Sequence, residues 1–110
     1  IETDDMHRPV RDAQGNALGG WRLPQIEVPL AAYAGTGTPR EDTDRARAAC
    51  ALTGVRQPFS TEQLRELYGT RAAWLERYRS AIDAAVAERR LTEPDAQALK
   101  AASARAAPAF

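Results

Sequence analysis

The chain has 110 residues, 44% of them hydrophobic, with fifteen basic and fifteen acidic side chains that cancel. That length allows one domain at most. The basic residues form no cluster of five or more, which excludes the electrostatic footprint of a nucleic-acid binder, and no run approaches the roughly twenty apolar residues of a membrane span. Much of the hydrophobic fraction is alanine, which buries little area.

Residues 1–9, IETDDMHRP, have no periodicity and read as a loop. Asp12 and Gly15 suit the positions of a bulged turn, so a small hairpin is expected from about Val10 to Leu18. Gly19-Gly20 then marks a bend. Pro24 and Pro29 bracket Ile26, Val28 and Leu30, which alternate with Gln25 and Glu27, the pattern of an edge strand or extended strap. Residues 35–49 are turn-rich and charged, without an apolar anchor larger than alanine, and read as an exposed loop. The large apolar side chains before residue 52 are too few to offset, at about 25 cal/mol per Å², the ordering of so much irregular chain. The half from 1 to 58 is therefore expected to rest on something else.

Residues 59–106 read as helical, with segments at about 61–68, 71–90 and 93–105. Ser60 or Thr61 can cap the first, and Gly69 can end it. Trp74, Leu75, Tyr78, Ile82, Ala85 and Val86 recur at spacings of three and four along the second. Thr92, Pro94 and Asp95 form a helix restart with a capping-box-like pair. The last helix offers Leu99 and alanines. Beyond about Arg105, apart from Phe110, the chain reads as a fraying tail. The fold class is thus mostly α with an irregular, hairpin-containing and extended N-terminal half.

Chemistry is sparse. The serines are Ser60, Ser80 and Ser103, none in a G-x-S-x-G elbow, and Ser60 is better explained as a helix cap. His7 is the lone histidine, so a multi-histidine metal site is impossible. It could act in catalysis only with a serine and an acid supplied by a partner. Asp42 and Asp44 lie among Arg40, Arg45 and Arg47, the setting of a solvated charge cluster rather than of a metal site. Cys50 is a lone cysteine: a half-buried free thiol, or one bonded to a missing partner. No catalytic residue, metal ligand or cofactor site is assigned. Trp21, set on a bend before Arg22, either packs or lines a substrate entrance, and it is the one candidate site residue.

Three stretches in order carry a resemblance: DAQGNALGGWRLPQIEVPLAAYAG, CALTGVRQPF and LYGTRAAWLERYRSAIDAAVAERRLTEPDAQAL. Together they resemble the C-terminal part of the bacterial alpha/beta hydrolase domain-containing family over residues 10–102. The resemblance implies a serine hydrolase of the α/β fold acting on carboxylic esters, with its Ser-Asp/Glu-His triad upstream of the matched segment, so that no triad member falls on a position of this chain. It implies no cofactor. It further implies a larger N-terminal hydrolase chain, or a cut within one precursor, as the partner that carries the triad and receives a small ester substrate; Ile rather than Met at position 1 fits such a boundary. Family members are often exported, and the compartment of this chain is left unassigned. The alternatives are a stand-alone helical module that docks the Trp74–Val86 stripe on an unrelated partner, and a small secreted structural protein.

Overall fold

The computed structural model describes all 110 residues as five helices and one two-stranded antiparallel sheet. In chain order these are α1 (Pro24–Glu27), β1 (Ala31–Ala34), α2 (Asp44–Ala51), β2 (Val55–Pro58), α3 (Thr61–Tyr68), α4 (Arg71–Ala87) and α5 (Glu93–Ala106). They form two units: Ile1–Trp21 with Ala31–Pro58, and Arg22–Leu30 with Phe59–Phe110.

The first unit begins with one turn made twice. Asp4 Oδ1 accepts from the Met6 and Arg8 amides at 2.9 Å each, and Asp12 Oδ1 accepts from the Gln14 and Asn16 amides at 3.0 and 2.9 Å. Each aspartate amide donates to the carbonyl four residues on, at 2.9 and 2.8 Å. The fourth residue of each turn, His7 or Gly15, is left-handed, with φ of 59° and 87°. The stretch 1–9 is thus patterned after all. The pattern escapes a hydrophobicity reading because it lies in aspartate side chains spaced eight residues apart. A ring of backbone bonds ties the copies together: Glu2 to Leu18, Leu18 to Val10 and Val10 to Glu2, at 2.9, 2.8 and 2.9 Å.

Strands β1 and β2 pair from Ala31 with Pro58 to Ala34 with Val55. Between them, part of the stretch expected to be loop is the helix α2. Thr43 caps it by accepting from the Ala46 amide at 3.1 Å, and Arg47 pairs with both Asp42 and Asp44. Its alanines and arginines have high helix propensity, and with the Thr43 cap they favour this helix, which buries no residue.

The second unit corrects the reading of residues 24–30. The alternation predicts a strand, but Pro24–Glu27 is a single helical turn. Proline at the first helical position has its φ already set and lacks only an amide that no helix would use, so Leu23 stays extended and Pro24 turns the chain. Val28 and Leu30 then pack on the helical core, with Pro29 buried between them. Residues 22–30 accordingly belong with the helices, which displaces the expected division at residue 58.

That core is built on α4. Trp74, Tyr78 and Ile82 are buried, the first two with rings stacked 5.0 Å apart. From α5 and its end come Ala96, Ser103 and Ala107, small enough to let the two helices approach closely. Two long side chains fasten segment 22–30: Trp74 Nε1 donates to the Val28 carbonyl at 3.3 Å, and Tyr68 Oη to the Pro29 carbonyl at 2.6 Å. The expected fraying tail is instead fixed. Ala107 is buried, Phe110 lies against Tyr68 at 6.5 Å, and Arg71 donates to the Ala107 carbonyl at 3.3 Å.

Burial pushes the Tyr68 phenol from 10.0 up to about 12, opposed by the nearby Arg77 charge. A phenol that holds its proton more firmly when folded contributes stability that is complete below the unfolded value. It is lost as pH rises from 10 through 12. Tyr68→Phe should flatten the fall in melting temperature over that window, measured by circular dichroism, and should cost about 1 kcal/mol at neutral pH. The paired turns generate a second expectation. His7→Gly should leave stability unchanged or raise it by up to about 1 kcal/mol, whereas Gly15→Ala should lower it by about 1–2 kcal/mol in urea unfolding.

Candidate functional site

Gly19 and Gly20 have φ of 76° and 67°. A Cβ on Gly19 would stand 2.6 Å from Glu2 Cγ and 2.8 Å from the Glu2 amide nitrogen, and one on Gly20 would stand 3.0 Å from the Ile1 nitrogen. Only glycine lets the chain cross residues 1 and 2 so closely in this conformation. The crossing delivers Trp21, 55% exposed. Other exposed large apolar residues of the same unit are Ile1, Met6, Leu52 and Val55, with Leu52 at 89%.

Within the helical unit, a cavity of about 180 Å³ lies between the segment 22–27 and α4. Ala81, Ala84, Ala85 and Pro24 give it apolar walls, and Arg22, Glu27, Glu88 and Arg90 line it with charge. Arg90 pairs with Glu88 at 2.8 Å, and Arg22 lies 3.8 Å from Glu27 while donating to the Ile26 carbonyl at 3.0 Å. The lining has neither nucleophile nor histidine.

Nucleophile and base are not brought together elsewhere either. Ser60 Oγ accepts from the Gln63 amide at 3.2 Å while the Gln63 side chain accepts from the Ser60 amide at 2.9 Å, the reciprocal cap of α3. Ser80 is exposed on α4, and Ser103 Oγ is turned into its own helix, donating to the Lys100 carbonyl at 2.6 Å. His7 is a turn residue. The Asp4 carboxylate beside it is held below the usual carboxylate range by the Arg8 amide and then by the Arg8 guanidinium, so it is engaged with Arg8 rather than orienting an imidazole. Asp42 and Asp44 face Arg47, and Cys50 is half-buried and unbonded to sulfur. No three His, Cys, Asp or Glu side chains converge as a metal site would require.

A family model described as an alpha/beta hydrolase domain matches residues 1–101. The chain belongs to this alpha/beta hydrolase family. No curated protein and no solved structure matches it.

For a chain of the alpha/beta hydrolase family, the informative polar residue is one that the sequence reading passed over. Asn16 is fully buried, and it is hydrogen-bonded to β1. The signal was local: an asparagine directly after the left-handed glycine of an aspartate turn, where a side-chain amide can reach a neighbouring backbone. Ser60, in contrast, is explained fully as a cap in this hydrolase-family chain. Ser60→Ala should lower stability by about 1 kcal/mol, read from urea unfolding, without altering turnover in any active assembly that contains the chain.

Proposed function

We propose that the chain is the C-terminal segment of an α/β-hydrolase-type serine hydrolase acting on carboxylic esters. A larger N-terminal polypeptide, or the remainder of one precursor, supplies the triad and binds the ester. This segment completes the fold, and Trp21 forms part of one wall of the substrate entrance. The observation that carries the reading is a mismatch. The hydrolase-family match runs over residues 1–101, yet no serine, cysteine or histidine here has the partners that acyl transfer requires. The first unit supports it further, since its buried residues are Asn16 and Ala31 while Ile1, Met6, Trp21, Leu52 and Val55 face solvent. Covering such side chains is worth about 25 cal/mol per Å², a gain that a larger body would supply.

The reading as a helical docking module loses its contact face. Trp74, Tyr78 and Ile82, the stripe it would offer to a partner, are already buried within the helical unit.

The test is assembly and activity. Subunit analysis of native material should find these residues held with a larger polypeptide, and only the assembly should hydrolyse p-nitrophenyl acetate and butyrate. A fluorophosphonate should label the larger part. Labelling of this chain, or ester turnover by the 12 kDa chain alone, would overturn the reading. In the assembly, Trp21→Ala should change the butyrate-to-acetate ratio of kcat/KM by roughly tenfold, the size expected for one lost apolar contact in a pocket. A fall in melting temperature with an unchanged ratio would make Trp21 purely structural.

A further inference from the structure

The outer edge of β1 is occupied by side chains rather than by a strand. Asn16 Nδ2 donates to the Ala31 carbonyl at 3.1 Å, and its Oδ1 accepts from the Tyr33 amide at 2.8 Å. Arg11 Nη1 donates to the Tyr33 carbonyl at 3.0 Å and to the Gly15 carbonyl at 2.7 Å. A primary amide carries the donor and acceptor of a peptide group, so Asn16 takes the place that a residue of a third strand would fill. The amide is itself fixed, because the Asn16 backbone is bound in both directions to Asp12. Gly15 gives the close approach: a Cβ there would stand 3.3 Å from that of Ala32.

The two aspartate turns differ at this point. Arg8 occupies in the first copy the position of Asn16 in the second, and its guanidinium returns to Asp4 at 2.9 Å, closing that turn on itself. The second turn reaches out to β1. From Asn16 the chain runs to Trp21 without a loose residue: Ala17 bridges to Arg11, Leu18 is bound to both Val10 and Glu2, and Gly19-Gly20 lie on residues 1 and 2.

We infer that Asn16, with Arg11, is a positioning residue that fixes Trp21 against the β1–β2 ribbon and thereby sets which esters the hydrolase site admits. The selectivity half of this inference rests on the proposed place of Trp21 at the substrate entrance. The positioning half does not.

The test uses the assembled enzyme labelled with 5-fluorotryptophan, the Trp21 resonance being assigned by its loss in Trp21→Phe. Asn16→Ala should shift or split the Trp21 fluorine resonance while that of Trp74 stays in place. Arg11→Met, which removes one of the three side-chain bonds to β1 together with the bond to Gly15, should do the same to a smaller degree, and it serves if Asn16→Ala fails to fold. Both should move the butyrate-to-acetate ratio of kcat/KM in the direction of Trp21→Ala, by on the order of threefold, and should add nothing in its background. An unmoved Trp21 resonance in the folded variants would overturn the positioning. A moved resonance with the ratio unchanged in these variants, but changed by Trp21→Ala, would overturn the link to selectivity. A ratio unchanged even by Trp21→Ala would overturn the entrance reading and with it the link to selectivity, while the resonance alone decides the positioning.

Discussion

Asn16 is buried where a first unit so poor in large apolar side chains has little else to bury, and its two hydrogen bonds to β1 compensate for that shortage. Apolar burial is the usual source of cohesion in a fold. Here aspartates close turns, an amide mimics a strand and an arginine satisfies a carbonyl. Each such bond contributes only about 1 kcal/mol net, but losing one partner leaves a buried polar group unsatisfied, which costs more. Cohesion of this kind fixes geometry more firmly than it stabilises. A two-stranded ribbon of four-residue strands is marginal by itself, and the side-chain edge on β1 gives it part of what a third strand would supply.

The helical unit is held in the opposite way. Trp74, Tyr78 and Ile82 form a continuous buried stripe, and the small residues of α5 let a second helix cover it. The remaining side of the stripe is covered by Val28 and Leu30, brought there by one helical turn at Pro24 and fastened by Trp74 and Tyr68 through backbone carbonyls. Residues 22–30, whose pattern suggests an extended strap, are thus part of a core, and Trp21 is the last residue before the chain enters it.

These two kinds of cohesion bear on function. The chain belongs to the alpha/beta hydrolase family, yet its polar groups are engaged in structure: serine as a cap, aspartates in turns, histidine in a left-handed corner. The first unit holds its shape with little apolar burial and presents Trp21 and Leu52 to solvent, which accords with the supporting and shaping role proposed above.

What the sequence by itself determined lies in local chemistry. The caps Ser60 and Thr92 are legible because a side chain bonds an amide three residues away, and the α4 stripe because 3.6-residue periodicity needs no partner to be seen. The absence of a nucleophile elbow is legible for the same reason. Tertiary structure alone decided that Pro24 starts a turn of helix, that Ala107 packs rather than frays, and that Asn16 lies buried. A three-residue alternation favours a strand until Pro24 and the core beside it turn the chain, and alanine becomes core only when another helix comes close enough to touch it. A buried amide is recognised only once the backbone it satisfies, here that of Ala31 and Tyr33, has been brought beside it.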